Sequence, residues 1–189
     1  MNSRKHTGKN KGASSEEQAI CVSCGFCCDG TLFMNAGLNP GERGQLPEMI
    51  EQESFSDGDK EYFRLPCHYF CVKCTIYNLK RADVCSSYRC QLLRDLAEGR
   101  ITLDDTVEIV REARRMRKII LKEYGMTAEK KEDIPFRRIL IETGRKRKDP
   151  SPGNSAPDHE ILIARCNIFE SLLIKHFRSA DAFEKMIIQ

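Results

Sequence analysis

The chain has 189 residues, with 31 Lys+Arg against 28 Asp+Glu and a formal net charge of +3. That length suits one domain, or one domain with an appendage, and a hydrophobic content of 40% supplies a modest core, which excludes wholesale disorder. No apolar run approaches the roughly 18 residues of a membrane-spanning helix, and the charge is too small to indicate nucleic acid by itself.

In chain order, residues 1–19 read as a disordered basic tail, basic first and then Ser14, Ser15, Glu16 and Glu17. Their apolar residues are Met1, Ala13 and Ala19, unlike the apolar stretch of a secretory leader. A reducing cytoplasm is therefore the expected location. Residues 36–66 are rich in turn formers (Asn39-Pro40-Gly41, Gly44, Asp57-Gly58-Asp59), with a short helix expected over Pro47–Glu53. A helix is expected over Ser87–Glu98, stopped by Gly99. Thr102 and Asp105 resemble a capping box and open a helix to about Tyr124, with Leu103, Val107, Val110 and Ala113 as its buried face. Ile134–Ile141 reads equally as strand or helix. Residues 144–157 read as a mobile loop. Asp158 is expected to cap a last helix whose stripe is Leu162, Cys166, Phe169, Leu173 and Phe177. The fold expected is mainly α: a cysteine-cluster domain stapled by metal over 20–98, then a helical region over 99–189.

The distinguishing feature is ten cysteines, nine of them between Cys21 and Cys90. With no Trp in the chain, this segment has few large side chains with which to build a core. Disulfides or metal must tie it together, and a reducing compartment favours metal. Cys21-x2-Cys24-x2-Cys27-Cys28 curls the backbone so that neighbouring thiolates reach one metal while turn amides donate to sulfur. Gly25 suits such a turn because it tolerates positive φ and close approach. Adjacent side chains diverge, so Cys27 and Cys28 serve different metal atoms or opposite sides of one polynuclear cluster. Cys67, Cys71, Cys74, Cys85 and Cys90 form the second block. Eight thiolates could hold two zinc ions, an iron–sulfur cluster with another metal, or one cluster with spare thiols. The overlapping spacing of the first block tilts the choice towards an iron–sulfur cluster over zinc, which spacing alone does not separate.

The segments CVSCGFCC and PCHYFCVKCTIYNLKRADVCSSYRC resemble the bacterial YkgJ-type cysteine-cluster family, whose CxxCxxCC domain is described as zinc- or iron-chelating. The family pattern continues with Pro-Cys, then Cys-x-Ile-Tyr, Arg-Pro, and a closing cysteine pair. Cys21, Cys24, Cys27 and Cys28 match the first block, and Pro66-Cys67 and Cys74-Thr75-Ile76-Tyr77 the next two. Cys85 and Cys90 match the closing pair by spacing. The resemblance covers residues 20–98 and implies metal ligation by Cys21, Cys24, Cys27, Cys28, Cys67, Cys74, Cys85 and Cys90. Lys80-Arg81-Ala82 stands in place of Arg-Pro, Ser86 in place of an Arg, and Cys71 is additional. Related domains occur in proteins linked to lysine methylation of flagellin, which raises a redox or methyl-transfer enzyme as an alternative.

Cys67-x3-Cys71-x2-Cys74 has the spacing of a radical S-adenosylmethionine loop, but such enzymes need a longer βα barrel, and Lys73 stands where an aromatic is expected. Residues 109–148 hold 14 Lys+Arg against 6 Asp+Glu, including Arg111, Arg114, Arg115, Arg117, Lys118 and the run Arg145–Lys148. A zinc-stabilised interaction module binding nucleic acid or an acidic partner would use this stretch, whereas a solvated helix face is the simpler reading. Cys166 reads as a buried structural thiol, His68 as a plain neighbour of the ligands, and His176 as placed for its helix dipole. No catalytic set stands out, so substrate, reaction and partner stay open.

Overall fold

A computed structural model describes residues 15–125, 135–148 and 157–178. The chain begins there with helix α1 (Ser15–Cys24), whose first turn carries Glu16 and Glu17, the charges a helix N-terminus favours. The expected tail therefore ends sooner than residue 19. Glu17 is buried and pairs with Arg89 at 2.7 Å, so tertiary contact recruits this polar segment into a helix. Residues 1–14 lie outside the described residues.

The turn-rich segment hides a sheet. Strands β1 (Asn35–Leu38), β2 (Ser54–Asp57) and β3 (Lys60–Arg64) form an antiparallel sheet in the order β1-β3-β2, with α2 (Glu48–Gln52) between β1 and β2 in sequence. Pro47 and Glu53 flank α2, close to the expected bounds. Asp57 faces Lys60 across a two-residue turn, and Gly58 takes φ +58° at its first position, which a type II′ turn reserves for glycine. Strands this short give too few alternations to be read from sequence. A second hairpin joins β4 (Phe70–Cys71) to β5 (Lys73–Cys74) through Val72 alone, at φ +64°. Positive φ is rare for a β-branched residue, and the side chain is 71% exposed.

The helix expected over Ser87–Glu98 is present but starts late, at Gln91. Helix α3 (Val84–Ser87) ends at Tyr88 and α4 (Gln91–Ala97) begins after Cys90, both flanking residues being extended. In one continuous helix, residues five apart would point about 140° away from each other. The break lets Cys85 and Cys90 face one place.

Helix α5 (Leu103–Glu123) starts as expected: Thr102 Oγ1 accepts from the Asp105 amide at 3.1 Å. Its buried face is Thr106, Val110, Ala113 and Ile120. Val107, assigned to that face from sequence, is 43% exposed; the stripe runs through Thr106, one residue earlier. Of the ambiguous 134–141 segment, residues 136–141 are helical, in α6 (Phe136–Lys148), residue 134 lies outside the described residues, and α6 runs through the first residues of the expected loop. Residues 149–156 lie outside the described residues. Helix α7 (Pro157–Phe177) starts with proline, whose missing N–H is harmless there, so Asp158 lies inside its first turn rather than ahead of it. Leu162, Cys166, Phe169, Leu173 and Phe177 are all buried, as their spacing predicts.

The molecule is mainly α with a small sheet, and its apolar residues form two clusters. The helical cluster unites Ile20, Phe26 and Leu92 with the buried faces of α5, α6 and α7. The sheet-side cluster is Ile50, Phe63, Leu65, Ile76 and Ala82. Phe33 packs against both. Among the described residues, no helix is long and apolar enough to cross a membrane.

Candidate metal centre

The cysteines converge at the junction of those two clusters. Cys21 and Cys24 lie three apart on α1 and so share a helix face. Gly25 then ends the helix at φ +71°, and its carbonyl accepts from the Cys28 and Asp29 amides at 2.9 Å each. A Cβ on Gly25 would stand 2.2 Å from the Phe70 ring, so the turn and the β4–β5 hairpin approach more closely than a side chain allows. Phe26, between Cys24 and Cys27, turns into the helical core and meets Phe169 edge-on at 6.2 Å and Phe177 at 5.4 Å. The flanking Cys24 and Cys27 pack against the same core from its edge.

Two further ties hold the loop. Asp29 accepts from the Thr31 amide at 3.0 Å and pairs with Arg117 of α5 at 3.2 Å. Arg117 also donates to Thr31 Oγ1 at 2.9 Å and lies over Phe136 at 5.1 Å. Burial raises the Asp29 pKa, and the Arg117 guanidinium pulls it back. The second tie is main chain: the Cys67 amide donates to the Cys28 carbonyl at 2.8 Å. It follows a cis Leu65–Pro66 bond.

One cavity of ≈ 250 Å³ results. It is lined by Cys21, Cys24, Cys27, Cys28, Cys67, Cys74, Cys85 and Cys90, among apolar side chains such as Phe33, Ile76 and Leu92. Cys71 is exposed and Cys166 is buried in the α7 stripe; neither lines it. No disulfide joins the described cysteines. Among the described residues, no three His, Cys, Asp or Glu side chains are disposed to hold a single metal ion. The thiols ring the cavity instead of meeting at one point.

The setting keeps metal-free thiols protonated. Burial pushes Cys24, Cys27 and Cys28 far above the ordinary thiol range, and repulsion from neighbouring cysteines adds to it. Partial burial raises Cys85 to about 11, with Cys67 adding and Arg81 opposing. Amides oppose burial at three sulfurs: Phe26 at Cys24, Tyr69 at Cys67, and Leu93 and Leu92 at Cys90. Such N–H groups stabilise thiolate once it forms.

No family model matches the chain, and no curated protein or solved structure matches it either.

Two lining residues fall outside the predicted ligand set. Arg81 is the charged side chain among the described lining residues; it stacks on Tyr77 at 4.3 Å and lowers the Cys21 and Cys85 pKa values against burial. Tyr88 meets Phe33 edge-on at 5.2 Å, and its own pKa is raised by burial and then by Cys27 and Cys90. Neither belongs to a periodic pattern. The other sequence candidates lie elsewhere. His68 pairs with Glu53 at 3.6 Å, away from the cavity. Burial lowers the His176 pKa, which works against a charge at that helix end. On the basic helix, Arg111 pairs with Glu108, Arg115 pairs with Glu112 at 2.7 Å, and Arg114 donates to the Ser23 carbonyl at 2.6 Å. The side chains of 145–148 lie outside the described residues.

Proposed function

We propose that this protein is a metal-thiolate protein whose eight cavity-lining cysteines hold an iron–sulfur cluster or zinc. One observation carries the reading. Cysteines from α1, the Gly25 turn, β5, α3 and the approaches to β4 and α4 line one cavity, while Cys71 and Cys166 lie outside it. Eight thiols in one apolar cavity make a soft donor set suited to zinc, copper(I) or iron–sulfur clusters and unsuited to magnesium or calcium. The reading agrees with the resemblance to YkgJ-type proteins.

The number of thiols exceeds what a single zinc ion takes: four-coordinate zinc uses four thiolates, whereas eight line this cavity. An iron–sulfur cluster would supply one-electron chemistry at a potential set by its surroundings. The chain's own residues would supply the thiolates, surround them with apolar side chains such as Phe33, Ile76 and Leu92, and place the Arg81 cation beside the developing negative charge. Metal binding displaces the thiol protons, so affinity falls with acid.

Elemental and sulfide analysis of the full chain purified without oxygen tests this. Iron with acid-labile sulfide and a broad visible absorption is the expected result; zinc without colour would keep the thiolate reading and make the centre structural. A protein free of both, and refusing both on reconstitution under reducing conditions, would overturn it.

A further inference from the structure

The thiols do not ring the cavity uniformly. Cys24, Cys27 and Cys90 pack against the helical cluster. Cys67 and Cys74 pack against the sheet-side cluster. Cys28 is bound to the second side through its carbonyl, which holds the Cys67 amide at 2.8 Å. Cys85 lies on α3, beside Val84, which packs against the sheet-side cluster. The boundary runs between Cys27 and Cys28, whose adjacent side chains diverge.

We propose that the eight thiols form two separate four-thiolate metal sites, Cys21, Cys24, Cys27 and Cys90 on the helical side and Cys28, Cys67, Cys74 and Cys85 on the sheet side. This rests on the metal-thiolate reading above and divides its ligands. Cys21 shares its α1 face with Cys24, and four-coordination assigns it to the helical set, which otherwise has three members. Rotation about χ1 swings a cysteine sulfur through about 3 Å, enough to draw a loose set of thiols inward. Each ion releases the protons of its four thiols to solvent as four metal–sulfur bonds form.

Cadmium is the probe, because its NMR signal reports each ion and couples to the β protons of the cysteines that bind it. The full chain, freed of metal under reducing and oxygen-free conditions, is loaded with 113Cd2+. Two resonances are expected. The β protons of Cys21, Cys24, Cys27 and Cys90 should correlate with one, and those of Cys28, Cys67, Cys74 and Cys85 with the other. Correlation of Cys27 and Cys28 with the same ion, or of any cysteine with both ions, would overturn the division while keeping thiolate ligation. Failure to take up cadmium at all would overturn the thiolate reading itself. Paired substitutions give a second readout. Cys27→Ser with Cys90→Ser should halve the bound cadmium, whereas Cys67→Ser with Cys90→Ser should abolish it; equal losses in the two pairs would count against the division.

Discussion

The amide of Cys67 donates to the carbonyl of Cys28 across 2.8 Å, and this one bond joins cysteine blocks separated by 38 residues of sheet and turn. It sets the second block's entry point against the end of the first. The bond is made by backbone, so no side-chain substitution removes it directly. Its consequences are tested through the residues that hold the two segments in place.

Gly25 and Gly30 should be far less tolerant of alanine than Gly37. Both have positive φ, at +71° and +74°. Forcing alanine into that region costs about 1–2 kcal/mol. At Gly25 the added Cβ meets a Phe70 ring that can swing aside, but at Gly30 it meets the Pro135 backbone at 2.9 Å. Urea unfolding should therefore rank the losses Gly30→Ala, Gly25→Ala, Gly37→Ala, with the last near zero because nothing lies within 4 Å of its Cβ. A Gly37→Ala variant as damaged as Gly30→Ala would contradict the packing of this loop.

Arg117 holds the loop after Cys28 through a largely buried carboxylate. Arg117→Met should cost about 2–3 kcal/mol, below the range for a fully buried pair, since the Arg117 side chain keeps 25% of its exposure. The pH dependence has a definite sign. Burial already raises the Asp29 pKa in the fold, and losing Arg117 removes the main opposing charge, so it rises further. A carboxyl whose folded pKa is raised is penalised when ionised, and the penalty is relieved as pH falls through that pKa. The deficit of Arg117→Met should accordingly be largest near neutrality and shrink in mild acid; denaturation curves of variant and parent at both pH values check it.

Thiol chemistry should separate the cysteines by place. In the metal-free protein Cys71 is exposed and outside the cavity, whereas burial holds Cys24, Cys27 and Cys28 protonated. The nucleophile is thiolate, and a thiol raised to about 11, as at Cys85, is ionised in only about one molecule in a thousand at pH 8. Brief alkylation followed by peptide mass mapping should label Cys71 first and Cys24, Cys27 and Cys28 last. Added metal should further protect the eight lining cysteines while leaving Cys71 open.

Phe169 links the helical core to the metal loop. It is fully buried and meets Phe26 and Phe136 edge-on at 6.2 and 5.5 Å. Phe169→Ala should cost about 3–5 kcal/mol through the cavity it leaves. Because Phe26 sits between Cys24 and Cys27, the same change should weaken metal retention, measured as metal per chain after dialysis against a chelator. Ile168→Ala is the control: its side chain is 60% exposed on the same helix and should affect neither quantity.

Sequence alone determined what depends on neighbours along the chain. The cap at Thr102, the positive φ of Gly25 and the buried stripe from Leu162 to Phe177 follow from spacing and residue type, because each rests on contacts within a few residues. The resemblance to the YkgJ-type pattern marks out the eight cysteines that line the cavity, whereas spacing alone does not set Cys71 apart. Only the tertiary structure decided the rest. The sheet under residues 35–64 is made of strands of four and five residues, whose pairing is non-local and leaves little pattern to read. The helix expected over 87–98 starts only at Gln91, after an extended stretch from Tyr88 to Cys90 that places Cys85 and Cys90 on one cavity and that local propensity does not show. Only folding shows that Arg81 and Tyr88 line the cavity beside the thiols. The split between Cys27 and Cys28 rests on two apolar clusters that exist only once helices and sheet have packed around the cysteines.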